Sequence, residues 1–275
     1  MFKLTNIYVI GAIIACGGLL QGFDVSSLGA ILTTDSYISY FQKPSPATQG
    51  GITASISGGS FVGCHGAFWT VDRIGRRAVM QIGCVIFVIG AIICAASVDV
   101  AMLIVGRFIC GFAVGMFTST GPTYLAELSP KTIRGRVVAL QPWASTWGSL
   151  VMYFITYGAT FTNSNASFRI PWSVQIVPAL LMFLGLLFVP RSPRWLASQD
   201  RWEEALVVLT DLHGHGNVAD RLVQAEYAEI KEAMEIRRAQ GNVRWRELVE
   251  RKNINRISSG IFVHIWTQLS GNNAV

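Results

Sequence analysis

Asp72-Arg73-Ile74-Gly75-Arg76-Arg77 puts four charges and a glycine into six residues, and the stretches on either side, Gln49 to Val71 and Ala78 to Ala96, contain no Asp, Glu, Lys or Arg. Each flank is close to the ~20 residues that an α-helix needs to cross a bilayer. A tight basic turn between two such flanks reads as a loop on the cytoplasmic face, where Lys and Arg near span ends accumulate. Outward from this turn, further apolar stretches run from Ile7 to Leu32, Ala101 to Leu125, Val137 to Phe161 and Pro171 to Val189, and another starts at Ile257. The pattern predicts an all-α membrane protein with six spans and the start of a seventh. The run from Ile7 is too long for the apolar core of a signal peptide, so the first span is expected to be retained.

Composition points the same way. Of 275 residues, 51% are hydrophobic and 14% charged, against roughly 25% charged in a soluble domain. Among the 22 Lys/Arg and 16 Asp/Glu, 23 fall between Arg191 and Arg256. Three regions follow: a six-span bundle over 1–190, a cytoplasmic helical linker over 191–255, and a seventh span that begins within 256–275. The net charge of +6 sits beside apolar spans without the interleaved aromatics of single-strand nucleic-acid binding, so no nucleic-acid partner is expected. Cys16, Cys64, Cys84, Cys94 and Cys110 all lie in apolar stretches without metal-ligand spacing, which predicts buried thiols and no disulfide, metal or cofactor.

Orientation follows from the basic residues. Lys3, Arg73, Arg76, Arg77, Lys131, Arg134 and Arg136 fall on one side of the predicted spans, with only Lys43 and Arg169 on the other, which predicts a cytoplasmic N-terminus. Asn165-Ala166-Ser167 is a glycosylation sequon in a predicted outer loop. Gly18/Gly22, Gly59/Gly63 and Gly111/Gly115 recur at the spacing that lets helix backbones approach closely in lipid. In the polar block, Arg201 to Leu212 and Ala219 to Gln240 carry apolar residues at helical spacing, including Leu222, Ala225, Ile230, Ala233 and Met234. Two short amphipathic helices are expected there, with a solvated linker as the alternative. His213 and His215 flank Gly214 between them and read as a polar turn.

Two charges lie well inside the spans, Asp24 and Arg107, and each costs about 3 kcal/mol near mid-membrane on insertion scales. At ~1.5 Å rise per residue, Asp24 stands roughly 25 Å above the cytoplasmic face and Arg107 roughly 9 Å below the outer face of a ~30 Å core. Their depths agree to about one helical turn. A contact would favour ionised Asp24, and protonation would release it. A proton-coupled switch and a static packing pair both satisfy this arithmetic.

Six motifs in order carry a resemblance. Gly22-Phe23-Asp24, Asp72-Arg73-Ile74-Gly75-Arg76-Arg77, Gly106-Arg107, Pro122-Thr123-Tyr124-Leu125-Ala126-Glu127 with Arg134-Gly135-Arg136, Pro190-Arg191-Ser192-Pro193-Arg194-Trp195-Leu196 and Gln268-Leu269-Ser270-Gly271-Asn272-Asn273 resemble the sugar porter branch of the major facilitator superfamily, in its fungal proton-coupled form. The resemblance spans nearly the whole chain and implies the N-terminal six-helix half of that fold plus a cytoplasmic helical loop. It implies proton-coupled transport of a hexose or polyol by alternating access at the plasma membrane, with sugar, protons and the lipid bilayer as partners. It further implies a cytoplasmic gate of Asp72, Arg73, Arg76, Arg77, Glu127, Arg134 and Arg194, although topological anchoring would also account for the arginines. Sugar contacts would fall on Gln21, Gln141, Gln268 and Asn273, since amides offer hydroxyls both donors and an acceptor. The chain departs from the family's pattern at Pro142, which replaces the second of two glutamines, at Thr267, and at Arg191, which replaces a glutamate.

Because such folds pair two six-span halves, a second half or self-association is an implied partner, and a fragment that does not transport alone is the alternative function. A membrane nutrient sensor is a third reading. An enzyme is not expected, because no nucleophile, base and oxyanion grouping is apparent.

Overall fold

The computed structural model describes residues 4–31, 34–42, 44–162, 166–214, 216–240 and 251–269. Among the described residues every regular element is helical: α1 (Ile7–Ile31), α2 (Asp35–Tyr40), α3 (Pro46–Ile74), α4 (Arg76–Ala95), α5 (Val100–Leu128), α6 (Arg134–Val138), α7 (Leu140–Thr160), α8 (Ala166–Val174), α9 (Ile176–Leu186), α10 (Pro193–Ser198), α11 (Trp202–His213), α12 (Arg221–Gln240) and α13 (Arg251–Leu269). The chain divides into two units, residues 1–227 and 228–275. The second holds the end of α12 and all of α13, which starts six residues before the expected Ile257.

In the first unit the apolar stretches become the bundle. Among the described residues, four segments are long and apolar enough to cross a membrane: Ile7–Ser27, Arg76–Ala95, Val100–Leu128 and Ala166–Leu186. The two remaining long helices, α3 with 29 residues and α7 with 21, are richer in Gly, Ser and Thr. Their small residues are spent on close packing. A methyl group on Gly59 or Gly63 would overlap the Phe108 or Phe112 carbonyl of α5, and one on Gly111 or Gly115 would overlap Ile56 or Ser60 of α3. The α1–α7 seam is built the same way, from Gly18 and Gly22 against Gln141 and Ser145, and from Gly148 against Leu19. In lipid, where burial of apolar surface does not drive association, such close backbone contact and the hydrogen bonds it permits hold helices together. Ser60 Oγ donates to the Gly111 carbonyl at 3.0 Å and Ser149 Oγ to the Gly22 carbonyl at 3.3 Å.

Two predicted spans are broken, each three residues before a proline. Pro142 has no N–H for the Val138 carbonyl, and the fifth span divides at Ala139 into α6 and α7. Likewise Pro178 cannot bond to Val174, and the sixth divides at Gln175 into α8 and α9, starting at Ala166 rather than Pro171. The first part of the linker, residues 192–212, packs on the bundle. Ser192 caps α10 by accepting from the Trp195 N–H at 3.3 Å, with Pro193 at the first helical position. Trp195, Leu196, Ala205, Val208 and Leu212 then join the same buried core as α1, α4 and α5. In α12 Val223 and Ile230 are buried, while Leu222 is exposed.

Candidate functional site

The two charges inside the spans meet. Arg107 on α5 lies beside Asp24 on α1, with Nη1 3.2 Å from Oδ1, and the side chains are 1% and 2% exposed. Serine completes the arrangement. Arg107 Nη1 also reaches Ser27 Oγ at 3.4 Å, Nη2 donates to the Asp24 carbonyl at 3.3 Å, and Ser27 Oγ donates to that carbonyl at 2.9 Å. Asp24 Oδ2 and Arg107 Nε find no hydrogen-bond partner among the described residues. The pair is thus deeply buried yet incompletely satisfied. Ser27 was missed in the sequence, although it lies three residues after Asp24 and so on the same helical face.

The other expected charges cluster at the end of the bundle that holds the Asp72–Arg77 turn. Gly75 makes this turn possible, with φ of +88° between α3 and α4 and the Trp195 ring packed where a side chain would sit. Arg76 bridges two carboxylates, Asp72 at 3.2 Å and Glu127 at 3.0 Å. Ser192 Oγ donates a short hydrogen bond to Glu127, Tyr124 O–H donates to the Pro190 carbonyl, and Trp195 Nε1 donates to the Asp72 carbonyl at 3.1 Å. Together these contacts tie the ends of α3, α4 and α5 to α10. Arg77 instead donates to the Leu187 carbonyl at 2.9 Å, and Arg134 to the Ser129 carbonyl at 3.4 Å. Arg73, Arg134 and Arg194 enter no ion pair among the described residues.

The candidate sugar contacts are less gathered. Gln21 is half-buried on α1, three residues before Asp24. Gln141 is buried between α1 and α5: its Nε2 donates to the Phe117 carbonyl at 3.3 Å, Gly121 packs against its Oε1, and that oxygen has no donor among the described residues. Gln268 falls on α13 with its side chain outside the described part, as are Asn273 and Asn165.

The polar turn expected at His213 is corrected by the structure. This side chain is 2% exposed and bridges three helices, with Nδ1 2.6 Å from Glu226 Oε2 on α12 and Nε2 3.0 Å from the Leu128 carbonyl that ends α5. Both partners accept, so the site holds a proton on each ring nitrogen or shares one with Glu226. Burial lowers the His213 pKa, the hydrogen bond and charge of Glu226 raise it, and the net result lies above the usual histidine value. Arg134 on α6 opposes the shift. A lone His beside glycine gave no sequence signal for this bridge.

A helical bundle with one buried carboxylate–guanidinium pair, a charge cluster at one end and a docked helical linker has clear parallels. The chain matches the family described as "Sugar (and other) transporter" over residues 10–275. It is 44% identical over 284 residues to the MFS glucose transporter mfs1 of Aspergillus flavus, covering 100% of this chain and 54% of that protein. It is 40% identical over 270 residues to the high-affinity glucose transporter of Kluyveromyces lactis, covering 98% and 49%. The structure of the major facilitator superfamily proton:xylose symporter XylE bound to 6-bromo-6-deoxy-D-glucose superposes with a TM-score of 0.76 at 27% identity, covering 83% of this chain and 53% of that one. The chain spans about half the length of the curated relatives it matches. On the strength of a family match that runs from the first span to the last residue, the chain belongs to the sugar transporter family of the major facilitator superfamily.

Proposed function

We propose that the chain forms the first half of a proton-coupled carrier for a hexose or related polyol, with Asp24 as the proton site. The observation that carries this reading is the buried Asp24–Arg107 pair, with one carboxylate oxygen lacking a donor. While Asp24 is ionised, the guanidinium on α5 holds α1 by charge as well as by hydrogen bonds. A proton arriving at Oδ2 removes the charge attraction and leaves only the weaker contacts to Ser27 and the Asp24 carbonyl. Protonation and the α1–α5 contact are therefore coupled free energies, which is what a symporter requires.

The remaining assignments belong to the same proposal. Asp72, Arg76 and Glu127, with Arg77 bracing α9, serve as a cytoplasmic gate, and Arg73, Arg134 and Arg194 are available to partners across it. Gln21 and the free acceptor of Gln141 contribute to a sugar site completed by Gln268 and Asn273. The bundle of 1–190 carries the cargo site and most of the gate, the linker of 191–255 braces that gate, and a second six-helix bundle completes the cavity. The N-terminus lies in the cytoplasm and the carrier in the plasma membrane, with Asn165 outside.

The test is labelled-glucose uptake in a hexose-transport-deficient yeast, by a carrier whose first 275 residues are this chain. Asp24→Asn should abolish accumulation against a gradient while leaving counterflow exchange. Accumulation equal to the unmodified carrier would refute the assignment of Asp24.

A further inference from the structure

Glu127 and Leu128 are neighbours in the last turn of α5, and one piece of linker grips both. Ser192, which caps α10, donates to the Glu127 carboxylate, the same group that Arg76 holds at 3.0 Å. His213, at the end of α11, reaches the Leu128 carbonyl with Nε2 at 3.0 Å, while its Nδ1 lies 2.6 Å from Glu226 Oε2 on α12. Between these two grips, α10 and α11 are joined by the Arg201 N–H donating to the Leu196 carbonyl at 3.0 Å, and by Leu196, Ala205, Val208 and Leu212 in the buried core. We propose that His213 is a latch through which cytoplasmic protons hold the gate closed: the charged ring ties the end of α5 to α11 and α12 at once, and the neutral ring releases one of them. The proposal rests on the carrier reading of Asp72, Arg76 and Glu127 as a gate and adds its regulation.

Two acceptors on one ring make the device. A carbonyl and a carboxylate are both served only when each ring nitrogen carries a proton, and the neutral ring, with one N–H, leaves one of them without its donor. The His213 side chain is 2% exposed, so water does not replace the lost donor, and an unpaired buried polar group is costly. Glu226, 17% exposed, gives the proton its way in. The 29-residue α5 presents the negative end of its dipole at Leu128, which favours a cation there. The charged groups acting on the ring are Glu226 on α12, which favours the charged form, and Arg134 on α6, which opposes it while donating to the Ser129 carbonyl at 3.4 Å. From α5 the ring meets the Leu128 carbonyl, and the Glu127 charge beside it is met by Arg76. Opening the gate parts Glu127 from Ser192, which the second grip on the next residue resists. Each coupled turnover delivers a proton to the cytoplasm, so the latch closes the gate as the transported proton accumulates.

The test has one arm on the chain and one on transport. In the full chain in detergent, amide exchange at residues 124–128, corrected for intrinsic rates, should be roughly tenfold faster at mildly alkaline than at mildly acidic pH, the scale of one hydrogen bond to a charged group. His213→Gln should abolish that difference, and Glu226→Gln should move it to lower pH. For transport, glucose counterflow is followed in right-side-out vesicles holding a carrier whose first 275 residues are this chain with Asp24→Asn, so that the proton site does not titrate. At fixed outer pH the rate should fall several-fold as the inner solution is acidified, and His213→Gln should make it independent of inner pH. An α5 end that ignores pH, a response kept in His213→Gln, or one confined to α11 would each overturn the latch, as would an inner-pH dependence of counterflow that His213→Gln leaves unaltered. Should His213→Gln lose its helical circular dichroism, Glu226→Gln carries the comparison. The exchange arm needs no cargo: a carrier that moves no glucose counts against the carrier reading, and the latch is then decided by exchange.

Discussion

Arg107 Nη1 on α5 stands 3.2 Å from Asp24 Oδ1 on α1, and neither side chain is more than 2% exposed. This contact joins two helices whose residues are 83 positions apart in the chain. A buried pair contributes little net stability compared with apolar side chains of the same shape, whereas removal of one partner strands the other. This energetic asymmetry suits the switch proposed for Asp24.

Arg107→Leu should lower the melting temperature of the purified chain sharply, because an uncompensated buried carboxylate costs about 3–5 kcal/mol. The double variant Asp24→Asn with Arg107→Leu should recover most of the loss. A double-mutant cycle by thermal unfolding in detergent reads the coupling, and strict additivity would show that the two side chains do not interact.

Gly63→Val should prevent stable assembly, since any side chain at this position overlaps the Phe112 carbonyl at the α3–α5 seam. Gly58→Ala, on the same helix but with only the edge of Phe108 nearby at 3.9 Å, should be tolerated or should stabilise by up to about 1 kcal/mol through helix propensity. Yield of monodisperse protein on gel filtration separates the two outcomes.

Trp195 is 7% exposed and covers Gly75 while its Nε1 donates to the Asp72 carbonyl. Trp195→Phe removes the hydrogen bond and should cost about 1 kcal/mol. Trp195→Ala also leaves a cavity and should cost about 3–5 kcal/mol, with α10 becoming accessible to limited proteolysis. Equal losses in the two variants would mean that the bond, rather than the ring, carries the contact.

His213 gives a pH dependence with a definite sign. Its folded-state pKa is raised, because Glu226 outweighs the burial that opposes it. The bridge from α11 to α5 and α12 is therefore complete below the ordinary histidine value of ~6.5 and is lost as pH rises through the higher folded-state value. Amide exchange in α11, corrected for intrinsic rates, should accelerate on moving from mildly acidic to mildly alkaline pH, and His213→Gln should flatten that profile. Glu226→Gln should shift the transition to lower pH. An unaltered profile in His213→Gln would remove the residue from the linkage.

Much of the architecture was legible before any coordinates. Apolar runs of membrane-spanning length, the basic turn at Asp72–Arg77 and the paired glycines each encode a local property: the free energy of placing one segment in lipid, or the room beside one backbone. Those glycines sit in the seams they suggested, against named carbonyls on α3, α5 and α7. Even the breaks at Ala139 and Gln175 follow from Pro142 and Pro178, though a reading by hydropathy passed over them because proline interrupts hydrogen bonds without altering apolarity. The depth arithmetic for Asp24 and Arg107 was adequate for the same reason, since axial rise is fixed by helix geometry.

Partnership was not legible. Among seven residues expected to form one gate, Arg76, Asp72 and Glu127 join in ion pairs, whereas Arg77 turns to Leu187 and Arg134 to Ser129. Gln141 lies in the α1–α5 packing, and His213, read as part of a polar turn, closes a three-helix bridge. Such outcomes depend on how each helix is rotated about its axis and which neighbour meets it, and both are set by the packing of the whole bundle. The sequence by itself determined the membrane-spanning class, the order of the helices and the charges that needed partners, because partition and helical rise are local. Only the tertiary structure decided which partner each charge received, because a contact of about 3 Å across 83 residues of chain is fixed by the simultaneous fit of all the helices between them.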